Sequence, residues 1–415
     1  MDITLSEERS RGWLRASLRL FCLLVPLSIA GANVSWGLAL ASLIALRAAG
    51  GRLEWRACRN ALAAALCLYV GAAVLAAACG VDPSNSLRHL NQDVHKLWIF
   101  VLFSIALAAE PSPDSWLWLA AGFTAAALIG ISQVRFYPGG QGGLEWVRAH
   151  AFVHPVTFGE QVAVALLGVT CFIVKRPSGA FASSRARGAA WIFALLTAAA
   201  LLASQTRGAM LGFAAGAASL CWFAPRMRRV LIPSILAVLA AMWFVSALRY
   251  GESAWPRLSD PLPPPGTNVA GPTMRVTLWK IAWLMGKDHP WTGVGPSNYR
   301  KVLPTYLDAI FDGNSKSWGT AHNLFLHHFA ERGLLGLSAT LLFLAVLIGR
   351  AFQRARASPD FPNLCSFSTA VAFVVMNLTE VALQTEILWL LIFFVWIWAE
   401  RLHAARAPEP SPKNG

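Results

Sequence analysis

The chain has 415 residues, of which 56% are hydrophobic and only 13% charged, and it contains 18 tryptophans. Soluble domains carry roughly a quarter charged residues, so length here bounds a number of membrane spans and not a number of soluble domains. The formal net charge of +14 would suggest a nucleic-acid partner in a soluble protein, but its distribution along the chain excludes that reading.

Four basic residues, Arg9, Arg11, Arg15 and Arg19, precede a first apolar run that ends in Ser28-Ile29-Ala30. The pattern is similar to a signal peptide with a small-residue cleavage site. The next apolar segment follows at once, so an uncleaved first span is expected. Apolar segments of about 15–22 residues, long enough for ~30 Å of hydrocarbon, fall near 14–30, 33–49, 60–80, 96–110, 115–134, 157–174, 189–204, 208–224, 230–249, 333–350, 363–383 and 386–402. They predict an all-α polytopic membrane protein with about twelve transmembrane helices.

The basic residues punctuate these segments. Arg47, Arg52, Arg56 and Arg59 form one cluster, and Lys175, Arg176, Arg185 and Arg187 another. Arg226, Arg228 and Arg229 make a third, and Arg350, Arg354 and Arg356 a fourth. They occupy alternate loops, as the positive-inside rule requires of cytoplasmic connections. With the N-terminus inside, the opposite face receives 81–95, 135–156, the hinge 204–207 and the long segment 250–332. In a Gram-negative inner membrane this face is the periplasm. The expected organisation is a bundle of about nine spans (1–249), a periplasmic loop subdomain between the ninth and tenth spans (250–332), further spans (333–402) and a disordered cytoplasmic tail (403–415).

The loop subdomain opens with the stiff run Pro261-Leu262-Pro263-Pro264-Pro265-Gly266. Residues Met274 to Met285 then have helical apolar spacing, with Thr273 as the expected N-cap and Trp279 and Trp283 on one face. Two turns follow, Asp288-His289-Pro290-Trp291 and Gly293-Val294-Gly295-Pro296, before the block Ala321-His322-Asn323-Leu324-Phe325-Leu326-His327-His328.

Ionisable groups at the membrane boundary are tolerated chiefly where they are used, which directs attention to His322, Arg207 and Arg275. An imidazole moves protons near neutral pH, so His322 beside Asn323 is a candidate base; the bland alternative is a polar cap on the face of Leu326 and Phe329. His327 and His328 point to different faces and lack the i,i+4 spacing of a helical metal pair with His322, so structural roles and no metal site are expected. Arg207 lies in Ser204-Gln205-Thr206-Arg207-Gly208-Ala209, against the positive-inside bias. It either snorkels to lipid phosphate or clamps a substrate diphosphate. Arg275 is either a solvated arginine or a phosphate ligand beside the Trp279 face. Arg135, Arg148, His150 and His154 add polar groups on the same side. The seven cysteines lie in or beside apolar runs and read as free thiols. No Walker loop, dinucleotide glycine motif, zinc signature or serine elbow is present.

In this order the motifs resemble the O-antigen ligase and polymerase family of membrane glycan enzymes. The resemblance rests on Ser204-Gln205-Thr206-Arg207-Gly208, Arg275-Val276-Thr277-Leu278-Trp279, Asp288-His289-Pro290-Trp291-Thr292-Gly293-Val294-Gly295-Pro296-Ser297-Asn298-Tyr299, Ala321-His322-Asn323 and Glu331-Arg332-Gly333-Leu334-Leu335-Gly336. It covers roughly 200–340, and Gln205 stands where a plainer Ser/Thr-Arg-Gly pattern is usual. The resemblance implies a GT-C-like enzyme that transfers O-antigen glycan from undecaprenyl diphosphate to a sugar hydroxyl of lipid A–core oligosaccharide, without metal, ATP or other cofactor. His322 would then act on the acceptor hydroxyl, and Arg207 and Arg275 would hold the diphosphate. Asn323, Trp279, Arg135, Arg148 and His154 would line the substrate site.

Two relatives of that activity compete with it, chain-length polymerase and protein O-oligosaccharyltransferase. Polymerases usually match the His-Asn block poorly, and the protein-directed enzymes commonly add a soluble extension where this chain has a short tail. A transporter for the same lipid would carry charges inside paired spans and broken helices, whereas the spans here read as nearly free of Asp, Glu and Lys. A ligase is the expectation.

Overall fold

The computed structural model describes residues 3–138, 144–177, 183–250, 272–307 and 318–406. The proline-rich run 261–266 and the tail from 407 onward lie outside them. The first half of the described chain forms α1 (Ile3–Leu24), α2 (Ile29–Ala48), α3 (Ala61–Cys79), α4 (Pro83–His89), α5 (Asn91–Ala109), α6 (Ser115–Ser132) and α7 (Pro155–Val174). The second half forms α8 (Ser184–Ser204), α9 (Arg207–Leu220), α10 (Arg228–Tyr250), α11 (Pro272–Asp288), α12 (Tyr299–Leu307), α13 (Leu324–Ala357), α14 (Phe361–Met376) and α15 (Glu386–Ala404). One antiparallel hairpin, β1 (Arg135–Pro138) with β2 (Leu144–Val147), interrupts the helices and pairs Arg135 with Val147.

Each of the twelve expected apolar segments falls on a helix. Among the described residues nine helical stretches are long and apolar enough to cross a bilayer. α9 and α14, with 14 and 16 residues, are shorter, and α1 is too polar in its first half to count. The protein is a polytopic α-helical membrane protein.

Burial orders the bundle. α15 is apolar all round, with every residue from Ile387 to Ala399 buried, as a central helix must be. α7 lies beside it, and Phe158 through Leu167 form an unbroken buried run. α10 is peripheral, with Leu236, Trp243 and Phe244 exposed. α9 and α14 run antiparallel in close contact through a glycine at every fourth residue. Gly208 meets Thr379, Gly212 meets Met376 and Gly216 meets the Ser368 carbonyl. Small residues at such a seam let helix backbones approach closely in a membrane.

Two sequence expectations need correction. α11 begins at Pro272, so Thr273 is not its N-cap; proline is favoured in a first turn because its missing N–H would be unsatisfied anyway. The helices also begin earlier than hydropathy suggests. α5 starts at Asn91 and α13 at Leu324, which brings Asp93, Glu331 and Arg332 inside them and moves Lys96 from the edge of its span into the second turn of α5. The spans are therefore not nearly free of charge.

α13 is interrupted at Gly333, whose φ of 62° and ψ of −161° leave the helix. The break is filled by backbone from the segment after α11. Val294 N donates to Ala330 O at 2.9 Å, Gly295 N to Glu331 O at 2.9 Å, and Leu334 N to Pro290 O at 2.7 Å. Gly293 and Gly333 both have positive φ, and a Cβ on either would overlap the other segment's backbone. The Gly-Val-Gly-Pro-Ser-Asn motif is thus a joint. Asn298 completes it by donating to Val294 O at 2.9 Å and Ser86 Oγ at 3.0 Å, which ties α4 to the same place.

Candidate functional site

The site assembles at one end of the bundle from the starts of four helices and the loop between α14 and α15. α14 ends at Met376, and Asn377 turns the chain by accepting from Leu383 N at 2.9 Å. This turn presents Thr379 and Glu380, and three of the four helix starts touch them.

Glu380 is the hub. His322, immediately before α13, hydrogen-bonds it from Nδ1 to Oε2 at 2.8 Å. A carboxylate only accepts, so Nδ1 is the donor of this bond, and in the neutral imidazole Nε2 then keeps its lone pair. Arg275, in the first turn of α11, donates from Nη2 to the other oxygen, Oε1. Its Nη1 donates to Thr379 O at 2.8 Å. Gly208, beside Arg207 at the start of α9, packs against the Thr379 side chain. Arg207 is half-buried there.

Burial pushes the Glu380 carboxyl up, but the hydrogen bond with His322 and the Arg275 charge outweigh it and hold the group below the usual range. His322 adopts φ = 49°, in the left-handed region. That conformation is uncommon for a side-chain-bearing residue and is kept only where the surroundings enforce it. Asn323 supplies part of that enforcement. It caps α13 by accepting from Leu326 N at 3.0 Å and donates to Leu378 O at 2.9 Å.

The fourth helix start is α7. His154 is its N-cap and stands within electrostatic reach of Arg148, Glu380 and His322. Desolvation first, then Arg148, pulls its imidazole below the ordinary range. Arg148 clasps the α8–α9 hinge, with Nε donating to Ser204 O at 2.7 Å and Nη2 to Thr206 Oγ1 at 2.9 Å. The positive φ of Gln205, 52°, makes this hinge tight enough that only two residues separate α8 from α9. Below the site Glu160 is buried in α7, and its charged neighbours are Glu380 and Arg275.

Of the eight residues singled out in the sequence, His322, Arg275, Arg207, Arg148, His154 and Asn323 are brought to this end. Arg135 is exposed on β1 and donates to Ser132 O and Val134 O, with no bond to the cluster. Trp279 is one turn beyond Arg275 on α11; Trp283 on the same helix packs against Phe329 at 5.3 Å between ring centroids. Glu380 is not among the eight, because it stands near the end of the apolar segment 363–383. Its available signal was its isolation, as the single charged residue of that segment.

Among the described residues no group of three or more His, Cys, Asp and Glu is placed to hold a metal ion. An apolar cavity of ≈ 380 Å³ lies near the opposite helix ends, lined by Trp116, Phe172, Phe361 and Trp398, away from these polar groups. The site is therefore a half-exposed imidazole backed by a buried carboxylate, with arginines on two helix starts and a third clasping the hinge beside them. Four helix N-termini, each with a partial positive charge, surround it.

No curated protein matches the chain. Residues 192–341 match the Wzy_C family model, described as O-antigen ligase, a stretch that holds Arg207, Arg275 and His322. Over this stretch, about a third of its length, the polytopic helical chain is similar to the O-antigen ligase family.

Proposed function

We propose that the protein is an O-antigen ligase that transfers glycan from undecaprenyl diphosphate to a sugar hydroxyl of lipid A–core oligosaccharide, on the periplasmic face of a Gram-negative inner membrane. The observation that carries the proposal is the Glu380 carboxylate shared between His322 and Arg275. It joins a proton acceptor to an anion-binding group across the span of one carboxyl.

In this mechanism the acceptor hydroxyl lies against His322 Nε2. Its oxygen attacks the anomeric carbon of the donor sugar, and the bond from that carbon to the diphosphate oxygen breaks. The leaving diphosphate keeps the electron pair, and the hydroxyl proton passes to His322. Glu380 holds the imidazole in the tautomer that can accept this proton and stabilises the imidazolium that forms. Arg207 and Arg275, with the positive ends of α9 and α11, stabilise the charge growing on the diphosphate. Arg148 keeps Arg207 in place through the hinge. Asn323 orients His322, and His154, Trp279 and Arg135 complete the outer rim.

The topology is part of the proposal. The helix ends that build the site are opposite the loops holding the Arg47, Arg226 and Arg350 clusters, so the positive-inside rule sets the site outward. About twelve spans, with 250–332 forming the outer subdomain, accommodate this arrangement.

The test uses purified protein with undecaprenyl-diphosphate glycan, lipid A–core and a chelator. Glycan-bearing lipid A that is lost on His322→Ala supports the ligase. Longer lipid-linked glycans in its place would make the protein a polymerase, and glycosylated polypeptide would make it a protein O-oligosaccharyltransferase.

A further inference from the structure

α2 and α5 meet in the half of the bundle nearer the candidate site, where the rings of Trp36 and Trp98 pack edge to face at 4.7 Å between centroids. α5 is held at that end by Asp93 as well, which accepts from Arg332 Nη2 at 2.9 Å, Lys96 Nζ at 3.3 Å and Tyr69 OH at 2.9 Å. Toward the opposite face the two helices enclose a groove of ≈ 550 Å³. Its floor is formed by Leu43, Leu102 and Ile105, all buried, and its rim by Leu40 and Ile44, both exposed. The groove therefore opens sideways into the bilayer.

Its dimensions and chemistry are those of one lipid chain. It follows α2 from Leu40 to Ala48, about 12 Å at ~1.5 Å per residue. One leaflet contributes roughly 15 Å to a hydrocarbon core of ~30 Å. The volume is in the range of sites that take a small organic ligand. Arg47 is the one charged residue in the lining, so water would find almost no partners along these walls.

The mouth selects the headgroup. Arg47, in the last turn of α2, lines the end of the groove beside Trp55. Arg52, Arg56 and Arg59 follow, and all four arginines are exposed. Glu54 is the single acid from 47 to 60. The neighbouring Glu400 is already bonded to Arg401 at 3.0 Å and Asn60 at 3.3 Å. Among the described residues none of the four arginine side chains makes a hydrogen bond or ion pair. The positive-inside rule accounts for arginines in this loop, but not for one set into the wall of an apolar groove. A second copy of the chain is a poorer occupant, because a self-complementary contact here would set four arginines against four.

We propose that this groove binds one anionic glycerophospholipid from the leaflet opposite the candidate site. An acyl chain lies against Leu43, Leu102 and Ile105, and the phosphate sits on Arg47, whose guanidinium fork matches its oxygens. Trp55 stands at the headgroup level. The bound chain completes the packing of α2 against α5. His322 and Glu380 are at the other end of the bundle, so the site stands whether or not the transfer reaction is the one proposed above.

The experiment adds phosphatidylglycerol, or phosphatidylcholine with the same acyl chains, to delipidated protein in neutral detergent and counts bound lipid by native mass spectrometry. The wild type should retain one phosphatidylglycerol, with phosphatidylcholine at least tenfold weaker. Arg47→Gln should weaken phosphatidylglycerol binding about fivefold, the worth of one basic residue at an anionic lipid surface. Ile44→Trp, at the exposed rim, should weaken both lipids by filling the groove. Arg187→Gln, in the separate basic cluster at the start of α8, should bind as the wild type does. Matching elution of all four proteins on size exclusion separates loss of lipid from loss of fold. Equal retention of the two lipids by the wild type overturns the site, as does Arg47→Gln binding as tightly as Arg187→Gln. A ladder of bound lipids with no preferred first one would mean boundary lipid only, and overturns it too. A protein dimer that Ile44→Trp dissociates would make the groove an interface between copies instead.

Discussion

His322 and Arg275 are joined through opposite oxygens of one buried carboxylate, Glu380, although 46 residues separate them in the chain. Neither is fixed by its own helix alone. The arrangement makes Glu380 as consequential as the two residues it joins, and it supplies the first prediction.

Glu380→Gln keeps the shape but removes the acceptor pair. Transfer should fall by about 10²-fold or more, in line with the usual worth of a positioned general base. The protein should still insert and elute as the wild type does on size exclusion. Turnover within a few-fold of wild type would remove Glu380 from the mechanism.

Arg275→Lys retains charge but cannot reach both Thr379 O and Glu380 Oε1 as a guanidinium does. A loss of about 10–100-fold in kcat is expected from the weakened stabilisation of the leaving group. Arg207→Lys should show a similar loss. Unaltered rates in both variants would return the two arginines to lipid anchoring.

Stability should rise with pH through two windows. The folded-state pKa of Glu380 lies below its unfolded value, so its bonds contribute fully above the ordinary glutamate range and are lost as pH falls through the folded value. For His154 the folded value is also depressed, which disfavours the imidazolium in the native state. Acidification below its ordinary value of about 6.5 therefore removes stability. Thermal unfolding in detergent from pH 7.5 to 4 should show both losses, with Glu380→Gln abolishing the lower and His154→Gln the upper. The upper is the smaller, because His154 is exposed.

Asp93→Asn leaves Lys96 and Arg332 buried without their shared carboxylate. Breaking a buried pair in this way costs about 3–5 kcal/mol, so the variant should unfold many degrees lower in a thermal assay. An unchanged midpoint would show that the network is not a source of stability.

Much of this arrangement was legible in the sequence. Hydropathy found every long helix, because an apolar stretch in lipid satisfies its backbone only by becoming one. The three principal candidates were legible because each is a charge or imidazole set against an apolar or outward background. Glu380 was not, since nothing local to Asn377-Leu378-Thr379-Glu380 reveals that His322 and Arg275 converge on it. Asp93 and Arg332 were missed for a different reason. Polar first turns dilute the hydropathy signal, so α5 and α13 seemed to begin after the residues that matter. The Asp288–Tyr299 motif belonged to the family resemblance, but only the break at Gly333 explains what it does.

The bond between Arg275 and Glu380 has one more consequence. An arriving diphosphate does not find a bare guanidinium; it competes with a carboxylate already in place, and when the emptied lipid carrier departs that carboxylate takes the guanidinium back. Net affinity for the carrier is then the difference between two ion pairs. Under the proposed function Glu380 thereby acts as a built-in competitor that limits product inhibition and keeps the enzyme turning over.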